Sequence, residues 1–140
     1  MRAAVVLLLF AACGGDHITV TVPARLEQAA IDPGTVQSYE LWVLEQVGLD
    51  STPILCDDLM SRAIVPASPN TIVLARVAGS FDGSEVALTE LRAGQQNRIF
   101  YVDMFDQPDQ LGTRVGAGCT PSVTIIGGKR VTIEIAIDKP

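Results

Sequence analysis

Short runs in which apolar and polar residues alternate are the feature that most restricts the fold of this chain. The first is HITVTV at residues 17–22, and the last is VTIEIAID at residues 131–138. A period of two, combined with β-branched residues, is typical of a strand with one buried face. The second run therefore predicts that Val131, Ile133, Ile135 and Ile137 point inward, with Thr132, Glu134 and Asp138 outward.

Other runs are apolar on both faces, as expected of strands in the middle of a sheet. They are SYELWVLE at 38–45 and NTIVLARVAG at 70–79. The run QNRIFYVDMFD at 96–106 predicts a further strand, with Tyr101 and Asp103 opposite its apolar side, and SVTII at 122–126 predicts a short one. The predicted core contains Val20, Leu41, Val43, Leu74, Phe100, Val102, Ile133 and Ile135.

Turn sequences separate these runs. They are DPGT at 32–35, FDGS at 81–84, RAGQ at 92–95 and IGGK at 126–129, and the last predicts a hairpin with Gly127-Gly128 at its tip. The best helix candidate is CDDLMSRAI at 56–64, about two turns long with acidic residues at its start. We therefore expect an all-β fold, a single antiparallel β-sandwich of about seven strands with at most one short helix.

The first residues have the pattern of an export signal. Arg2 precedes an apolar run at residues 3–12, which ends in small residues before Cys13. As a helix, ten residues cover only about 15 Å, roughly half of a bilayer core. A secretory signal that happens to contain a cysteine is one interpretation of this run, and a buried apolar segment is another.

The stretch FAAC, Phe10–Cys13, resembles the lipobox of bacterial lipoproteins, with Phe10 where leucine is usual. The resemblance implies that residues 1–12 are a signal peptide and that Cys13 becomes the acylated first residue. Residues 13–17 would then be a short tether and 18–140 the sandwich domain. Gly14, in place of the aspartate that favours inner-membrane retention in that family, points to the outer membrane of a Gram-negative cell.

The segment from Leu91 resembles the closing half of prealbumin-like and carboxypeptidase-regulatory-like domains. The resemblance covers about 45 residues and depends on the order of glycine turns and strands. Gly118-Cys119 before the last two runs is also similar to small envelope lipoproteins. An immunoglobulin-like topology is the alternative that this pattern leaves open.

If Cys13 carries lipid, Cys56 and Cys119 are the two cysteines that remain. In an exported chain such a pair usually forms a disulfide. The 63 residues between them would make that bond worth roughly 4 kcal/mol in the chain-entropy model. Two free buried thiols are the alternative.

The charge of the chain restricts its partners. The net charge is −6 at pH 7, and loss of residues 1–12 would remove one more positive charge. This balance argues against nucleic acid and against electrostatic binding to anionic lipid. We expect contact with the membrane through the lipid on Cys13, and we keep an envelope protein as a further partner.

No group of residues forms a recognisable catalytic, cofactor or metal motif. His17 is the single histidine, too few for a catalytic triad or a zinc site together with paired cysteines. Asp103, Asp106 and Asp109 are three residues apart, which suits either a calcium loop or an ordinary acidic loop.

Two further pairs of residues allow alternative interpretations. Asp57-Asp58 fits a helix start at least as well as a pair of catalytic carboxylates. Trp42 and Tyr39 would line a sugar or peptide site, or belong to the core.

We expect a non-enzymatic envelope lipoprotein whose sandwich is a binding or structural module. The alternatives are an accessory subunit that joins a larger envelope complex through an open sheet edge, and a small carboxylate-dependent hydrolase.

Overall fold

The computed structural model describes residues 18–21, 31–83, 86–88, 91, 94–125 and 131–140. These residues contain seven strands and one short helix. Side chains are described for these residues except 18–21, 86–87, 94–96 and 122. The elements are β1 (Ile18–Thr21), β2 (Ser38–Glu45), α1 (Cys56–Met60), β3 (Val73–Ser80), β4 (Val86–Leu88), β5 (Gly94–Phe105), β6 (Arg114–Ile125) and β7 (Val131–Glu134). Two 3-10 turns lie at Pro33–Thr35 and Pro108–Gln110.

The strands form two sheets, which confirms the predicted all-β class. One sheet has four strands in the order β3-β2-β5-β6, and the other has three in the order β4-β1-β7. All pairs are antiparallel except β1 and β7, which run parallel, so the expectation of a wholly antiparallel sandwich is wrong at this pair. β1 and β7 are far apart in sequence, and both begin at the same end of the sandwich, where Ile18 lies opposite Val131.

The last two strands do not form the simple hairpin that the sequence suggested. Residues 131–138 do run antiparallel to β6, since Ala117 and Asp138 exchange backbone hydrogen bonds of 2.7 and 2.9 Å. The Thr120 hydroxyl also donates to the Glu134 carbonyl at 3.3 Å. However, β7 itself leaves β6 to pair with β1 in the other sheet. The turn predicted at Gly127-Gly128 lies outside the described residues.

The main core fills the space between the sheets, where the inward positions of the alternating runs meet. Ile133 and Ile135 are buried whereas Thr132 and Glu134 are exposed, so the predicted register of this run is confirmed. The side chain of Val20 lies outside the described part of the chain. The buried members of this core are Ile31, Val36, Leu41, Val43, Leu88, Leu91, Phe100, Val102, Met104, Ile125, Ile133, Ile135 and Ile137.

A second apolar layer covers the other face of the four-stranded sheet. The segment 46–72, which includes α1 and is called the outer layer here, packs on that face through Ile54 and Leu59. Its buried contacts join Trp42, Leu44, Ile54, Leu59, Ile99, Tyr101 and Ala117. This layer explains why the central strands β2 and β5 are apolar on both sides.

Strand β3 is an edge strand, not the central strand that its apolar sequence suggested. Leu74, predicted to be buried, is 37% exposed. The error arises because an apolar run does not show whether a strand has neighbours on one side or on two.

The two ends of the sandwich can be distinguished by the strand register. At the end called upper here, β2 finishes, β3 and β5 begin and β6 finishes. The connection from β5 to β6, which includes the turn Pro108–Gln110, lies at the opposite, lower end. Among the described residues no helix is long and apolar enough to cross a membrane.

Candidate functional site

A disulfide attaches the outer layer to the sheet beneath it. It joins Cys56, the first residue of α1, to Cys119 on β6, with the two Cα atoms 5.7 Å apart. This is the predicted pair, and the alternative of two free thiols is not observed. Cys13, the predicted lipid-attachment residue, lies outside the described residues, as does His17.

A buried carboxylate forms a second attachment between the same parts. Asp103 on β5 is almost fully buried, and its Oδ2 accepts a hydrogen bond of 3.0 Å from Arg62 in the outer layer. Its Oδ1 accepts a hydrogen bond of 2.6 Å from the Tyr101 hydroxyl. The same oxygen lies 2.7 Å from Nε of Arg114, an ion pair whose geometry is not that of a hydrogen bond. Arg114 also donates to the backbone carbonyl of Met60 at 3.0 Å.

The environment of Tyr101 follows from this arrangement. Burial raises the pKa of its hydroxyl, and the hydrogen bond to the Asp103 carboxylate raises that pKa further. The phenol is therefore held in its neutral form as a donor. The alternation in β5 predicted Tyr101 and Asp103 on one face, but it could not predict the two arginines, because a local pattern does not show which distant residues meet that face.

The three aspartates that suggested a calcium loop do not converge. Asp103 is bound to the arginines, whereas an oxygen of Asp106 accepts the Thr113 N–H at 2.6 Å and closes the turn before β6. Asp109 is exposed in a 3-10 turn with φ of 58°. Within the described ranges, no group of three or more histidine, cysteine or acidic residues could hold a metal ion.

The other two candidate pairs, Asp57 with Asp58 and Trp42 with Tyr39, occupy positions that the fold itself explains. Asp57 and Asp58 lie in the first turn of α1, where negative charge interacts favourably with the helix dipole. Trp42 on β2 is buried beneath the outer layer, with the Arg76 guanidinium carbon 4.9 Å from its ring centre. Tyr39 packs against the core between the sheets, so the two aromatic rings lie on opposite faces and form no common binding surface.

A tight turn at residues 48–52, called the tip turn here, extends β2 beyond the sheet at the upper end. The Gly48 N–H donates to the Thr52 carbonyl at 2.9 Å. A Cβ at Gly48 would lie 2.5 Å from Nδ2 and 2.8 Å from the carbonyl oxygen of Asn70. Glycine at this position therefore allows the turn to lie directly against the returning chain.

Asn70 fixes the shape of the tip turn from the side. Its backbone carbonyl accepts the Leu49 N–H at 2.9 Å, and its side chain both accepts the Asp50 N–H and donates to Oδ1 of Asp50. The Thr52 backbone N–H, the larger cause, and Asn70 lower the pKa of Asp50, which stays ionised. The turn thus has a defined conformation, with Leu49 held outward.

Leu49 is the most exposed of several large apolar side chains near the upper end; it is 70% exposed. Most of the exposed large apolar side chains in the described part of the chain fall in the outer layer and the start of β3. They are Val47, Leu49, Leu55, Val65, Val73 and Leu74, and the other one is Leu111 at the lower end. An exposed apolar side chain at the tip of a preformed turn, as Leu49 is, suits a contact surface.

No protein-family model, no curated protein and no solved structure matches this chain.

Proposed function

We propose that this chain is an exported protein of the bacterial cell envelope, anchored by lipid at Cys13. Its sandwich acts there as a non-catalytic binding or structural module. The observation that carries the proposal is the disulfide between Cys56 and Cys119. Disulfides persist in oxidising compartments outside the cytosol, so the bond supports export.

The disulfide also separates the roles of the three cysteines in the chain. With Cys56 and Cys119 joined, Cys13 is the remaining thiol, and it follows a short apolar run in a lipobox-like setting. Acylation of one residue with two or more chains gives stable membrane attachment, whereas one chain gives only marginal binding. The proposal therefore includes the multiple acylation implied by the lipoprotein resemblance.

A non-catalytic role is supported by the positions of the acidic side chains. Asp103, the most buried acidic side chain in the described part of the chain, is held by two guanidinium groups and a phenol. A carboxylate bound in this way is poorly placed to act as a general acid, base or nucleophile on a substrate. This favours a binding module over the alternative of a small hydrolase.

The test is Cys13→Ser with membrane fractionation and labelled palmitate. We expect the parent chain to take up the label and to fractionate with membranes, and the variant to do neither. Phe10→Leu is the matched control, since it restores the leucine usual in a lipobox and should preserve both properties. If the parent takes up no label while Cys13→Ser still fractionates with membranes, the lipid anchor is wrong.

One observation favours the accessory-subunit alternative. Strand β3 is eight residues long, contains no proline and pairs on one side only with β2 among the described residues. An edge strand of this kind can accept a strand from a partner protein. Arg76→Pro would remove an N–H from that edge strand, and loss of a co-purifying envelope protein would support this alternative.

A further inference from the structure

The point at which the tether would join the domain can be located from the strand register. Ile18, the first residue of β1, pairs with Val131. The chain from Val131 onward runs antiparallel to β6, with Glu134 beside Thr120 and Asp138 beside Ala117. Val131 is therefore level with the final part of β6, and Ile18 lies at the upper end of the sandwich.

The tip turn lies at this same end. β2 finishes at Glu45, opposite Arg98 near the start of β5, and the chain continues past the sheet into residues 48–52. The side chain of Leu49 in this turn is 70% exposed. The entry point of the tether and the apolar tip therefore share one end of the domain.

The length of chain between Cys13 and β1 limits how far the domain can lie from a lipid anchor. Four residues, 14–17, separate them. Cys13 and Ile18 are thus five residue steps apart, which at no more than about 3.6 Å per step span at most ~18 Å. If Cys13 carries lipid, as the proposed function states, the upper end must remain close to the bilayer surface.

We propose that the upper end docks on the lipid bilayer, with Leu49 inserted into the headgroup region and Val47, Val73 and Leu74 at its rim. This proposal rests on the lipid anchor of the proposed function. Ionised Asp50 beside Leu49 keeps the insertion shallow and disfavours anionic headgroups, so the surface suits zwitterionic lipid. The preformed tip turn loses little conformational entropy on contact, since its hydrogen bonds already fix its shape.

The experiment places a fluorescent reporter at each end of the anchored protein. The full-length lipidated chain is reconstituted in phosphatidylcholine vesicles with brominated acyl chains, as Leu49→Trp or as Leu111→Trp. Both sites are highly exposed, at 70% and 81%, so neither change disturbs the core. The twelve residues of β5 separate the two ends by about 36 Å, which makes Leu111→Trp the matched control.

We expect the added emission of Leu49→Trp to fall by about half in brominated vesicles, since interfacial groups lie ~5–10 Å into the headgroup and acyl boundary. Leu111→Trp should be unaffected, and the parent chain, whose single tryptophan is buried Trp42, gives the background. Vesicle flotation is measured on the same samples.

The possible outcomes separate this inference from the proposed function. If the protein floats with vesicles but Leu49→Trp is not quenched, the anchor holds and the docking surface is wrong. Equal quenching at both positions also overturns the docking orientation. Without lipid on Cys13, both proposals fail. If Leu49→Trp is shielded from iodide in native membranes but escapes brominated lipid, the tip contacts a protein, which overturns the lipid surface.

Discussion

Replacement of Asp103 by asparagine tests the polar attachment between the outer layer and the sheet. Asparagine has nearly the same volume as aspartate, so Asp103→Asn removes the charge without opening a cavity. The Asp103 side chain is 4% exposed, and the two arginines that face it differ, with Arg114 at 14% and Arg62 at 43% exposed. Loss of the carboxylate charge would leave Arg114 largely desolvated without an opposite charge.

The expected magnitude follows from this difference between the arginines. Removal of one partner from a buried ion pair costs about 3–5 kcal/mol, whereas an exposed pair is worth about 0–1 kcal/mol. Arg114 keeps two neutral acceptors, the Met60 carbonyl at 3.0 Å and the Tyr101 hydroxyl at 3.1 Å. We therefore expect Asp103→Asn to lower the free energy of unfolding by about 3 kcal/mol, the low end of the range.

The assay is urea denaturation followed by the emission of Trp42, the single tryptophan, which packs against the outer layer. Arg62→Gln is the matched control and should cost less than about 1 kcal/mol, because Arg62 reaches solvent. Combining Asp103→Asn with Arg114→Met should recover part of the loss, since no unpaired buried charge remains. A cost for Asp103→Asn below about 1 kcal/mol, or an equal cost for Arg62→Gln, would refute this reasoning.

Two further predictions concern the same region. The double variant Cys56→Ser with Cys119→Ser should lose about 4 kcal/mol of unfolding free energy, because the bond closes a separation of 63 residues in the unfolded chain. Urea midpoints that stay unchanged between oxidised parent and variant would contradict it. The raised pKa of Tyr101 in the folded chain means that its stabilising contribution is complete below pH ~10 and declines as pH rises toward the folded-state pKa. Urea midpoints from pH 9 to 11 should therefore fall more steeply for the parent than for Tyr101→Phe, and parallel curves would contradict the prediction.

The sequence by itself determined the local character of most strands. In β7 and the residues after it, the alternation of isoleucine with polar residues fixed which side faces the core, because successive side chains in a strand point to opposite faces. The same period placed Phe100, Val102 and Met104 on one side of β5, and those side chains are buried between the sheets. Cysteine counting, combined with the lipobox resemblance, gave the pair that the structure joins.

Tertiary structure alone decided which strands are neighbours and what covers them. Periodicity describes one strand at a time, so it could not show that β3 lies at an edge or that β1 and β7 run parallel. Periodicity also could not show that Arg62 would form an ion pair with Asp103, which is 41 residues away in the sequence. The upper end is another such case, because the tip turn and the start of β1 are brought together by strand pairing. Such pairings depend on the free energy of the whole arrangement, which no local pattern of residues contains.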